Sequence, residues 1–196
     1  MVLFVRRGMN MNSNEIVRKL KSINPKIKVN KKMIQEISSG ILSDEEILYV
    51  IKGDAVFPSN MPNLNTIVKQ AVVILTNKRV FAATKSVVSC NSINIPIENI
   101  KGITANNVFF RRKIAINNNG MNVELIIPSK EEANKLVGKI NEQLDNYKSF
   151  KIEVNKTVEQ EITEQIEKLS DLYKEGILTE YEFATKKMEL LEKLKK

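Results

Sequence analysis

Between residues 47 and 127 the chain runs through a succession of short β-branched segments, and directly after Pro128 the apolar period lengthens from about two residues to about 3.6. Ile47-Leu48-Tyr49-Val50-Ile51 opens the series, and Gly53-Asp54 supplies a turn signal. The stretch Phe57–Asn65, with Pro58, Pro62 and several asparagines, reads as a loop before a buried strand over Ile67–Leu75. Thr76-Asn77-Lys78 turns the chain into Arg79-Val80-Phe81-Ala82-Ala83. Further strands are predicted over Ser92–Ile97, Gly102–Asn106, Lys113–Ile116 and Val123–Ile127. The last two are joined by Asn117-Asn118-Asn119-Gly120, where Asn-Gly takes the positive φ angles a tight hairpin demands. Strands this regular predict a sheet that closes on itself. Past Pro128, Ser129 stands at capping-box spacing from Glu132, and Ala133, Leu136, Val137, Ile140 and Leu144 share one apolar face. Many strands followed by an amphipathic helix make the fold class α+β.

Helical patterns flank this body. Ile16, Val17 and Leu20 predict a helix over Asn14–Ile23 that stops before Pro25, and a second starts after the N-cap Asn30, with Met33, Ile34 and Ile37 on one side and Gly40 at its end. Residues 147–156 alternate Phe150, Ile152 and Val154, the pattern of an extended linker or a docked edge strand. From Thr157 two more helices appear. The first carries Ile162, Ile166, Leu169, Leu172 and Tyr173 and ends at Gly176; the second is capped by Thr179 with Glu182 reaching back, and carries Phe183, Leu190, Leu191 and Leu194. The expected division is a helical segment over 1–45, a β domain over 46–147, a linker over 148–158 and a helical hairpin over 159–196.

Composition narrows the chemistry. The 196 residues include no histidine, which removes Ser-His-Asp and Cys-His catalysis and every histidine metal motif. The glycines at 102, 120, 138 and 176 fit neither a phosphate-cradling loop nor a dinucleotide fingerprint. The pairs Glu45-Glu46 and Glu131-Glu132 sit where acids favour a helix start or a solvated face. No catalytic residue, cofactor site or metal site is therefore expected. The one cysteine, Cys90, reads as a small half-buried strand residue, and a chain with a single thiol fits a reducing compartment. The longest apolar runs, such as Ala71-Val72-Val73-Ile74-Leu75, fall far short of the roughly 20 residues that span a bilayer. Met1–Val5 precedes Arg6-Arg7, the reverse of a secretory signal's order, so a cytoplasmic protein is expected.

Net charge is +8, and it is uneven. Residues 1–45 contribute +5, residues 46–147 +4 and residues 148–196 −1. The densest basic cluster, Arg111-Arg112-Lys113, follows Phe109-Phe110; aromatics beside guanidinium groups grip single-stranded nucleic acid by stacking and phosphate contact. The competing reading is a loop leading into a strand, one phenylalanine in the core and the charges in water.

Two stretches carry a family resemblance. Residues 164–183, from Glu164-Gln165-Ile166 through Gly176-Ile177-Leu178-Thr179 to Glu180-Tyr181-Glu182-Phe183, resemble the SHOCT module, a short C-terminal domain of bacterial and phage proteins. Ile74-Leu75-Thr76-Asn77-Lys78-Arg79-Val80-Phe81, followed by Ile95-Pro96-Ile97-Glu98-Asn99-Ile100, resembles bacterial PH-like domains. The resemblance implies a strongly bent β-sheet or barrel capped by a C-terminal helix, with N-terminal helices before it and a helical hairpin after it. It also implies a non-enzymatic interaction role. PH domains that bind phosphoinositides usually carry basic residues in the loop after the first strand; Gly53–Asn65 has none, so phosphoinositide is not an expected ligand.

The expected function is that of an adaptor or scaffold, with a protein partner or a second copy held by Leu169, Leu172, Tyr173, Ile177, Phe183, Leu190 and Leu191. The alternative is a nucleic-acid-binding accessory protein using Phe109, Phe110, Arg111, Arg112 and Lys113, and a third possibility is peripheral attachment to an anionic membrane.

Overall fold

The computed structural model describes residues 11–58, 66–84 and 92–194, and the chain divides into two compact units, Met1–Asp145 and Asn146–Lys196. The signal reading at residues 1–7, most of the expected 57–65 loop and Cys90 lie outside the described residues.

The first unit begins with helices α1 (Ser13–Ile23) and α2 (Lys31–Gly40), N-capped by the Asn12 and Asn30 side chains, which accept from the Asn14 and Met33 amides. Seven strands follow: β1 (Ile47–Pro58), β2 (Thr66–Thr76), β3 (Arg79–Thr84), β4 (Ser92–Pro96), β5 (Ile100–Val108), β6 (Arg111–Asn118) and β7 (Met121–Ile127). They form one bent antiparallel sheet in the order β4-β3-β2-β1-β7-β6-β5. Among the described residues the ladder ends at β4 and β5, so backbone pairing does not close it into a full barrel.

The middle strands are buried on both faces. Cross-strand register aligns Val50 with Ile74 and Ile74 with Phe81, and this face packs against Ile16, Leu20, Met33 and Ile37 of α1 and α2. The neighbouring positions Ile51, Val73 and Ala82 alternate to the opposite face and are buried too. That is why β2 shows no apolar–polar alternation. Helix α3 (Lys130–Lys174) starts where expected: the Glu132 amide donates to Ser129 Oγ at 3.2 Å, and Ala133, Leu136 and Ile140 are fully buried.

Two expectations from the sequence are corrected. Gly53-Asp54 is not a turn but the centre of β1, at the point where the strand begins to pair with β7. A β-carbon at Gly53 would fall on the Ile127 side chain and close to the Ile126 carbonyl, so glycine here permits a close strand approach. Residues 147–156 are not extended; they continue α3. They contain neither glycine nor proline, and lengthening an existing helix avoids the cost of nucleating a new one. Phe150 and Val154, two members of the apparent alternation, also stand at helical i, i+4 spacing.

A buried ion pair ties the helices' exit segment to the sheet. The Glu45 side chain is 0% exposed; its carboxylate accepts from Arg79 Nη2 at 2.8 Å, Arg79 Nε at 3.1 Å, Thr76 Oγ1 at 2.8 Å and the Leu42 amide at 3.3 Å. Glu45 is thus neither at a helix start nor solvated, as its sequence context suggested. Removing one partner of such a pair leaves the other charge uncompensated. We expect Glu45→Ala to lower unfolding free energy by about 3 kcal/mol, read as a reduced guanidinium midpoint at unchanged slope. An unchanged midpoint would show that the pair contributes nothing net.

Candidate functional site

Two surfaces carry the side chains singled out in the sequence. One is the β5–β6 hairpin tip. Val108 pairs with Arg111, leaving Phe109 and Phe110 as a two-residue turn. Neither phenylalanine enters the core: they are 92% and 91% exposed, which corrects the expectation of one buried ring. Phe109 has φ 51°, a left-handed conformation unusual for a bulky residue.

The basic residues lie in β6 rather than in a loop before it, and each has a partner. Arg111 Nη1 donates to Asp54 at 2.7 Å, Lys113 Nζ to Glu124 at 2.8 Å and Arg112 Nη1 to Asn107 Oδ1 at 3.2 Å. Arg112 Nε is buried with no partner. Arg111 also borders a surface pocket of about 480 Å³ that Lys28, Lys52, Asn30 and Gln70 help to line. Residue order does not foreshadow this grouping, because Lys28 comes from the segment between α1 and α2 while Lys52 comes from β1.

The second surface is the helical hairpin of the C-terminal unit, formed by the end of α3 and by α4 (Glu180–Lys193). Its turn is specified locally. Gly176 takes φ 70°, the Ile177 amide donates to the Leu172 carbonyl at 3.0 Å and the Gly176 amide to that of Tyr173 at 3.0 Å, a Schellman closure. Thr179 then starts α4 with a full capping box: Thr179 Oγ1 accepts from the Glu182 amide at 3.3 Å, and the Glu182 carboxylate accepts from the Thr179 amide at 2.9 Å.

The seven predicted partner-contact residues separate into two sets. Phe183 stacks on Tyr173 with ring centroids 5.2 Å apart, and Leu190 is buried, so these join the two helices to each other. Leu172, Ile177 and Leu191 remain exposed, and Leu172 lines a groove of about 290 Å³ with Leu169, Leu190, Lys168, Lys186 and Glu189. Tyr181, Met188, Phe150, Ile152, Val154 and Val158 are also exposed and were not singled out. Read at helical period, the apolar residues at 150, 154 and 158 carried that signal. No described helix is long and apolar enough to cross a membrane.

The family described as "Bacterial PH domain" matches residues 41–142, and that described as "Short C-terminal domain" matches residues 164–191. No curated protein matches the chain. Among solved structures, it is similar to the Vps36 N-terminal PH domain at 9% identity and TM-score 0.44, over 56% of this chain and 86% of that one. It is also similar to the C-terminal domain of an unknown protein from Leishmania infantum at 13% identity and TM-score 0.42, over 58% and 94% of the two chains.

The capping box makes the hairpin sensitive to acid. Hydrogen bonds from the Thr179 backbone and hydroxyl hold the Glu182 carboxyl below the ordinary value of about 4.3. Its contribution to α4 is therefore complete above that value and is lost as pH falls through the lowered one. NMR titration of the Glu182 carboxyl is expected to show the depressed midpoint, and Thr179→Ala to raise it. Coincident curves for the two proteins would show that the cap does not hold the carboxylate.

Proposed function

The chain belongs to the bacterial PH-domain family, and from that premise we propose that it is a non-enzymatic adaptor or scaffold whose C-terminal hairpin mediates self-association or binding to a protein partner. Both domains it matches are generally non-catalytic. One observation carries the reading: among the described residues of the C-terminal unit, Ile162 and Leu190 are the only hydrophobic side chains that are buried. Two helices with so small a core have little of their own to hold them, while Leu172, Ile177 and Leu191 still face outward. The setting we propose is the reducing interior of a bacterial cell, where a phage-encoded protein would also act.

The test is absolute mass by light scattering on the full chain, alone and with Leu172→Glu and Ile177→Glu combined. Association through the hairpin predicts a mass above the 22.3 kDa monomer that falls on substitution. A mass unaffected by the substitution would remove self-association through this surface.

A second reading rests on the hairpin tip, where two nearly fully exposed phenylalanines precede three basic side chains. The two-residue turn imposes the left-handed φ on Phe109, and its bulky ring gains no burial there in return, so the choice of phenylalanine over glycine or asparagine supports a role in contact. Here the protein would be a nucleic-acid-binding accessory factor, the rings stacking on bases and the charges on phosphates. Replacing Arg111, Arg112 and Lys113 by alanine is expected to abolish oligonucleotide binding and flatten its salt dependence. Unchanged binding would exclude the tip, and preference for anionic vesicles over oligonucleotide would assign it to a membrane surface.

A further inference from the structure

The C-terminal unit has an apolar seam on α3 that is covered at one end and open at the other. Tyr147, Phe150, Val154, Val158 and Ile162 succeed one another at spacings of three or four residues, which sets them on one helix face. Ile162 is 5% exposed. Immediately N-terminal to it, Val158, Val154 and Phe150 are 39%, 43% and 64% exposed, and the first two flank a shallow depression of about 300 Å³. The exposed seam lies outside residues 164–191, the part matched by the short C-terminal domain.

We infer that this open seam is covered by the same segment of a second copy, the two α3 helices running antiparallel. The inference rests on the reading of the chain as self-associating and places that contact N-terminal to the hairpin rather than on it. Charge decides both the occupant and its direction. Within the stretch in contact, residues 147–156 hold Lys148, Lys151 and Lys156 against Glu153 alone, whereas residues 157–161 hold Glu159 and Glu161 with no basic residue. A parallel pair sets lysines beside lysines and glutamates beside glutamates; an antiparallel pair sets the basic half of each copy beside the acidic half of the other. A two-fold interface is self-complementary in this way, every contact occurring twice.

Register follows from the seam. Centring the two-fold on Val154 places Phe150 of each copy against Val158 of the other and Tyr147 level with Glu161. Lys148 and Lys151 then stand level with Gln160 and Thr157, on either side of Glu159 and next to Glu161. Contact ends before Ile162, which is already buried within its own copy. Val154 meets itself at the axis.

The experiment uses the full chain with Cys90→Ser as background. Light scattering from about 1 to about 100 μM is expected to give twice the monomer mass, and Val154→Glu to halve it. Val154→Glu changes an exposed helix position, and an unaltered circular dichroism spectrum confirms folding. Disulfide formation fixes direction independently: Val154→Cys is expected to give a covalent dimer, Phe150→Cys and Val158→Cys none when each is alone, and a mixture of these last two a crosslinked pair. A monomer at all concentrations, a dimer indifferent to Val154→Glu, or self-crosslinking of Phe150→Cys would overturn the proposal. A dimer that persists with Val154→Glu yet dissociates with the Leu172 and Ile177 substitutions would sink the seam and leave the hairpin reading standing. The reverse pattern would retain the seam and remove the hairpin.

Discussion

The Glu45 carboxylate, held by Arg79 and Thr76, is the contact on which the first unit's arrangement depends. It belongs to a clamp between two short segments. Lys78 reaches Asp44 at 2.8 Å, and Asn77 exchanges two hydrogen bonds with the Glu46 backbone, at 3.0 and 3.1 Å. Thr76 does double duty, since its hydroxyl also accepts the Lys78 and Arg79 amides and so shapes the turn between β2 and β3. Residues 44–46 thus grip the turn at residues 76–79 by side chains of both signs. The consequence reaches across the unit: α1 and α2 precede the gripped segment, and they cover the face of β1 to β3 that carries Val50, Val72, Ile74 and Phe81. Without that cover, four large apolar side chains would face water.

The Thr76-Asn77-Lys78-Arg79 run is part of the stretch that carries the PH-like resemblance, and the structure gives it a physical meaning. Each of the four bonds the 44–46 segment: Thr76 and Arg79 the Glu45 carboxylate, Asn77 the Glu46 backbone and Lys78 the Asp44 carboxylate. Hydrophobic period made the strands legible, because burial on one or both faces is written directly into residue order. The hairpin turn at Asn119-Gly120 was legible for a related reason: its φ angles of 48° and 90° are ones that few residue pairs adopt. Gly53 misled because glycine marks both turns and close strand approaches, and only the position of β7 distinguishes them. Residues 147–156 misled because an alternation of three apolar residues has two periods in it, and the flanking helix settles which one is used.

Side-chain environment was less legible than backbone. Phe109 and Phe110 were expected to divide between core and solvent, yet both stand at a two-residue turn from which neither ring reaches the core. The basic residues beside them are matched by Asp54 on β1, Glu124 on β7 and Asn107 on β5, partners on other strands. Charge counted along the chain therefore overstated the free charge at the tip. Pairing of this kind depends on strand register, which sequence period does not give.

The two units are specified by different physics. The first is determined by long-range contacts: its helices and central strands share one core, and the clamp at Glu45 holds the helices over it. The second is determined locally, by a Schellman closure at Gly176, a capping box at Thr179 and one stacked aromatic pair. Such features fix the shape of a helical hairpin without giving it much of a core. A surface built this way reaches an encounter with its shape already set, so association loses less conformational entropy than it would for an unstructured tail. On the reading proposed above, the apolar area left outside, Leu172, Ile177 and Leu191, is what a partner or a second copy would cover.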